Sequence, residues 1–359
     1  MPGTRLTSKL FIPILLLSFL AFGFSFDRSV AAKSAGANAY LIVVIGFIIA
    51  IAALRAVGSL AVRYPDRSII ALGDLLLGPA GRIGASIWLL AVFLLAALLA
   101  QRVTSEVAAI ILFRTPGSVS ALVFLLLAGY MALLGEEALG RLSSAMMTML
   151  PVLLFLLFMS FRQVTFLNIH PVNIYRDPGY LRQWGLWLIV YAPIWVLSFS
   201  SGGESLRNNF KAVILTIASG AIVLAATFLS IAGSFGPRGM GRYEWPVISL
   251  FSIIEFAPRY FFQNFAVTIY LFIFLSFSLV TVAAFLRVIA KGLNELLGSK
   301  KDRSKLFLLF IDLCLFIMLI SVTQICFEQV ANILLAFCSL YVFGYSLLIW
   351  FSSHLRRRS

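Results

Sequence analysis

The stretch WGLWLIVYAPIWVLSFSSGGE, residues 184–204, decides how this chain folds. It carries no charge before Glu204 and is long enough to cross the hydrocarbon core of a bilayer as a helix. Ser198, Ser200 and Ser201 then lead into Gly202, Gly203 and Glu204. Adjacent glycines weaken a helix, and backbone groups freed inside a membrane must face a cavity or protein rather than lipid. Two readings of the motif stand. A broken helix lines a site, where Glu204 takes a proton or meets a ligand's ammonium group. Alternatively the helix ends at the membrane surface and Glu204 pairs with Arg207 at i+3.

Working outward, hydrophobic residues make up 61% of the 359 and charged residues 12%. That is about half the charged fraction of a soluble protein. In lipid every backbone polar group must be satisfied within the structure, which leaves helices or a closed barrel. The apolar runs are continuous and about 17–25 residues long, the length of a spanning helix, whereas barrel strands are short and alternate. Spans are expected near 9–26, 40–62, 83–104, 118–135, 144–161, 184–201, 211–234, 262–289, 304–323 and 330–352. The connections, such as Gly78-Pro79 and Thr115-Pro116-Gly117, are too short for a separate soluble domain, so residues 1–359 form a single transmembrane domain. Residues 68–77 and 245–256 are apolar but too short or interrupted to span, and read as interfacial or re-entrant helices.

The net charge of +14 raises the question of nucleic acid. Lys and Arg lie mostly between the apolar runs, and the aromatic residues are nearly all Phe inside them, so the charge reads as topology. With the N-terminus inside, inner segments hold 17 Lys and Arg and outer segments hold ten. Arg356, Arg357 and Arg358 place the C-terminus inside as well. The first run is long for a signal-peptide core and reads as a retained span.

Ten spans divide into two sets of five, residues 9–161 and 184–352, and an odd number inverts the second set. Spans one and six become equivalent. Leu20-Ala21-Phe22-Gly23-Phe24-Ser25 in span one is then a second candidate break, although its lone Gly23 also suits helix packing. This is the inverted-repeat transporter pattern, with discontinuous first and sixth helices and a midplane site suited to an amphoteric ligand. Arg102 and Glu106, at i and i+4, form an intramembrane charge pair that reads as a relay or a structural pair snorkelling to the surface. Glu136 and Glu137 read as solvated, His170 as capping or packing, and Cys314, Cys326 and Cys338 as small buried hydrophobes. Asp312 and Glu328 receive no role. The sequence shows no nucleophile–base pair, phosphate loop or metal motif, so neither an enzyme nor a cofactor is expected.

Several short motifs, in order across nearly the whole chain, resemble the B subunits of nutrient germinant receptors in endospore-forming bacteria. They are Arg63-Tyr64-Pro65, Arg102-x-x-x-Glu106, Arg114-Thr115-Pro116, Gly140-Arg141-Leu142, Leu150-Pro151, Asn168-Ile169-His170-Pro171-Val172, Gly202-x-Glu204 and Tyr243-Glu244-Trp245-Pro246. That family belongs to the amino acid–polyamine–organocation superfamily, so the resemblance implies an all-α, LeuT-like fold. It also implies a ligand site lined by Leu20, Ala21, Phe22, Gly23, Leu95, Ala96, Ser200, Ser201, Gly202, Gly203, Glu204, Ser278 and Thr281. The implied ligand is a small nutrient such as an amino acid. The implied partners are a membrane A subunit and a lipoprotein C subunit, in the spore inner membrane. Family members usually carry a Glu-Arg pair entering span eight; this chain has Gln263-Asn264, which disfavours proton coupling through that pair. A permease coupled to protons or sodium, and a scaffold subunit with a disused pocket, are the rival readings.

Overall fold

Long apolar runs free of internal charge fold as helices because each backbone N–H then finds its carbonyl one turn back, without help from solvent. The computed structural model describes residues 8–25, 39–64, 67–169, 184–200, 210–240, 243, 245–254, 259–298, 303–321 and 324–355. The first half comprises α1 (Ser8–Ser25), α2 (Ala39–Arg63), α3 (Ile69–Leu77), α4 (Pro79–Ile110), α5 (Gly117–Leu134), α6 (Glu136–Met146) and α7 (Leu150–Ser160). The second comprises α8 (Trp184–Ser200), α9 (Phe210–Met240), α10 (Pro246–Ser252), α11 (Arg259–Leu296), α12 (Ser304–Ser321) and α13 (Gln324–Leu355). Each expected span overlaps a described helix; the fifth is met by α6 and α7 joined through a 3-10 turn at Met147–Met149. Among the described residues, seven helices are long and apolar enough to cross a membrane, and Leu10–Ser25 is a shorter apolar helix.

Two helices form the interior. α1 is buried along almost its whole length and packs against α6, α8, α9 and α11. α11 packs against α1, α4, α5 and α12. The periphery carries the large exposed apolar side chains, including Leu126 on α5, Phe158 on α7, Phe310 on α12 and Ile333 on α13. Lipid is as apolar as these side chains, so close packing rather than a hydrophobic drive holds the helices together. α1 and α9 show how. Gly23 faces Leu224, and one turn away Gly220 faces Phe19, where a Cβ would lie 2.5 Å from the ring.

Residues 68–77 fold as expected into a short helix, α3, with one face buried against α4 and α13. Ser68 caps it by accepting from the Ala71 N–H at 3.2 Å. Gly78 ends it at φ 61°, a conformation that other residues rarely adopt, and Pro79 opens α4 at once. The hairpin is so tight that a Cβ on Gly81 would overlap the Gly73 carbonyl. α13 clasps it from outside: the Tyr345 hydroxyl donates to the Gly81 carbonyl at 2.8 Å, and Tyr341 donates to that of Gly84 at 3.1 Å. The second short segment forms α10, which is mostly buried and packs on α11.

Contacts between helix ends join segments that the Lys/Arg count assigns to one side. Glu136 at the start of α6 meets Lys291 and Arg287 of α11, and Ser68 meets Glu295 of α11. Trp350 Nε1 donates to Ser59 Oγ at 3.0 Å. At the opposite end the Asn168 carboxamide donates to the Gly233 carbonyl at 2.9 Å. Of the two glutamates read as solvated, Glu137 is exposed and meets the likewise exposed Arg141 at 2.6 Å, whereas Glu136 is engaged with α11.

Candidate functional site

The candidate residues on α1 lie at its most enclosed stretch. Leu20, Ala21 and Phe22 are fully buried, and the helix continues through them without a break. The expected discontinuity at Leu20–Ser25 is therefore corrected within the described residues. Gly23 serves the close approach of α9, and a glycine buried against a neighbouring helix keeps its helical hydrogen bonds. Residues 26–38 lie outside the described residues.

Phe22 reaches α11, where its ring sits 5.6 Å from that of Phe285. Phe19 and Phe24 extend the aromatic contacts on either side: Phe19 meets Tyr191 of α8 at 5.0 Å, and Phe24 meets Tyr270 of α11 at 5.9 Å. Tyr191 is fixed in turn by donating its hydroxyl to the Val43 carbonyl of α2 at 2.8 Å. Ser278 and Thr281 are fully buried on α11, and Leu95 and Ala96 are fully buried on α4, which packs against both α11 and α1. α8 ends its described course at Ser200; Ser201, Gly202, Gly203 and Glu204 lie outside the described residues. The described members of the candidate set thus fall on helices that meet around α1 and α11.

Two hydroxyls distinguish this region chemically. Ser278 Oγ has no hydrogen-bond partner among the described residues, whereas Thr281 Oγ1 donates to the Phe277 carbonyl at 2.7 Å. Ser18 Oγ, one turn before Phe22, is also fully buried and unpartnered. Buried polar atoms are normally satisfied, so an orphan on a packed helix marks a position where a bound molecule can supply the partner. Sequence reasoning overlooked Ser18. The available signal was its spacing of four from Phe22, which puts it on the same helix face.

Arg102 and Glu106 do pair, at 2.9 Å, with Glu106 almost fully buried. A buried carboxylate held by a guanidinium one turn away is satisfied in place, which favours the structural reading over a relay. His170 lies outside the described residues. Among the described residues no group of three or more His, Cys, Asp or Glu side chains is placed to hold a metal.

Comparison with known proteins bears on family and fold. A family model described as "Spore germination protein" matches residues 5–325. No curated protein sequence matches the chain. Among solved structures, the chain is similar to Mhp1, a nucleobase-cation-symport-1 family transporter, in a closed conformation with bromovinylhydantoin bound. The TM-score is 0.64 at 12% identity, covering 89% of this chain and 73% of the transporter. At that identity the likeness speaks to the fold alone.

Proposed function

The chain belongs to the spore germination protein family, and from that premise we propose that it is the nutrient-sensing subunit of a spore germination receptor. Family and fold are those of transporter-type membrane proteins in germination; sensing, rather than carrying, is the further step. A small nutrient, with an amino acid as the leading class, binds where α1, α4, α8 and α11 meet. Ser278 supplies a hydroxyl to it, Phe22 a wall, and Glu204 with the Ser200–Gly203 segment an acidic, glycine-rich edge. Binding selects one packing of the two helix sets, residues 9–161 and 184–352, which form an inverted repeat with ten crossings. That packing is passed to a membrane A subunit and a lipoprotein C subunit in the spore inner membrane. Both termini face the cytoplasm, which the Lys and Arg bias supports.

The observation that carries the reading is the family match across residues 5–325. Spores whose only nutrient receptor contains this chain provide the test. Gly203→Leu should shift the concentration of amino acid needed for germination at unchanged protein level; an unchanged response removes Gly203 from the pocket. The similarity to a transporter favours one alternative, a permease coupled to protons or sodium. Proteoliposomes containing this chain alone should not accumulate labelled amino acid, and sustained uptake would establish the permease instead.

A further inference from the structure

Asp312 sits midway along α12, about 12 Å from either end at the rise of an α-helix, and has no part in the site above. With 304–323 crossing the membrane as the sequence leads one to expect, that is the depth at which a charged side chain is most costly. Its surroundings are built to hold it. Asp312 Oδ2 lies against α5 at Gly129, where a Cβ would stand only 2.6 Å away, so the glycine makes the space the carboxyl group occupies. The other oxygen, Oδ1, is buried and has no hydrogen-bond partner among the described residues.

Among the described residues none of the charged groups on the helices packed against α12 forms an ion pair with Asp312, although Arg287 Nε is itself without a hydrogen-bond partner there. On α11, Arg287 donates to the Ala132 carbonyl at 3.2 Å and stands 3.9 Å from Glu136, which Lys291 also engages. On α4, Arg102 and Glu106 hold each other, and Arg82 is exposed at the start of the helix. Tyr130 of α5 is exposed, and Cys314 is a partly buried free thiol on α12 itself. A buried carboxylate with no cation beside it among the described residues is relieved of its charge by taking up a proton.

A route toward it is laid out on the same helix faces. A cavity of about 630 Å³ opens between α4, α5 and α12 and is lined by Gln101, Thr104, Ser105 and Ser118 together with Ala121 and Leu319. Leu319, Leu315 and Asp312 share one face of α12 at helical spacing, and Ala121, Leu125 and Gly129 share one face of α5. Buried Leu125 and Leu315 lie between the cavity-lining residues and the carboxyl group, which are about two helical turns apart.

We propose that Asp312 is a proton-binding site, separate from the nutrient pocket and reached from the α4–α5–α12 cavity past Leu125 and Leu315. The proton arrives from water, forms the O–H bond on the Asp312 carboxylate and returns to water by the same route. Infrared difference spectroscopy of the full-length protein in lipid, recorded across a pH series, tests this without any germinant. It therefore stands or falls independently of the sensing role. The wild type should show a protonated-carboxyl C=O band that comes and goes with pH. Asp312→Asn should lose that band, and Asp312→Glu should keep one at a shifted frequency. Identical spectra for wild type and Asp312→Asn would overturn the proposal. Leu315→Ser, which places a hydroxyl in the apolar layer, should speed hydrogen–deuterium exchange of the same band; an unchanged rate would overturn the route.

Discussion

Substituting Ser278 by alanine removes a hydroxyl that is fully buried on α11 and hydrogen-bonds nothing among the described residues. An unsatisfied buried polar group costs about 1–3 kcal/mol, so the alanine protein should be as stable as the parent or more so. If the hydroxyl instead meets the nutrient, its loss should cost one neutral hydrogen bond, about 0.5–1.5 kcal/mol, or roughly 2- to 10-fold in the concentration that triggers germination. Two measurements on the same variant read the two effects. One is the thermal midpoint of the purified protein in detergent without nutrient. The other is the germination concentration–response of spores carrying that variant. Ser339→Ala on α13 is the control, because its hydroxyl is equally buried and unpartnered but lies outside the candidate set. It should likewise keep or raise the midpoint while leaving the germination response at the parent's value. A Ser278→Ala protein with a lowered midpoint and an unchanged response would refute the reasoning, since the hydroxyl would then serve the fold and not the ligand.

Three other substitutions have definite expectations. Phe22→Ala opens a void beside Phe285 and should cost about 3–5 kcal/mol in stability; if Phe22 walls the pocket, the surviving protein should respond better to bulkier nutrients. Lys291→Gln leaves Glu136 with only the more distant Arg287, and the loss should be about 1–3 kcal/mol, below the ~3–5 kcal/mol of a fully buried pair. Restoration of the thermal midpoint by the charge-swapped pair Glu136→Lys with Lys291→Glu would show that the pairing itself matters. Gly81→Ala drives a methyl group into the Gly73 carbonyl, and because two backbones rather than a flexible side chain collide, about 3 kcal/mol or more should be lost. Normal yield and an unaltered midpoint for Gly81→Ala would contradict the tight α3–α4 hairpin.

The helices were legible in advance because membrane insertion is decided locally. A run of apolar residues must satisfy its own backbone, so residues 40–62 or 211–234 declare themselves without reference to any neighbour. The same holds for the turn at Gly78-Pro79, where one residue permits a positive φ and the next begins a helix. The helix through Leu20–Gly23 was not legible, because glycine in a membrane helix means either weakness or contact. Only the presence of Leu224 against Gly23 decides which.

Side-chain partners across helices were equally hidden. Composition gave Asp312 no role and read Glu136 as solvated, because pairing depends on which faces meet, and that is a property of the packed bundle. Glu136 and Lys291 stand 155 positions apart, and Asp312 is far in sequence from the Gly129 that accommodates it. The sequence by itself thus determined which segments are helices, since apolar length acts segment by segment. Tertiary structure alone decided which buried hydroxyls and carboxyls lack a partner, since satisfaction is settled by the neighbours that packing brings within about 3 Å.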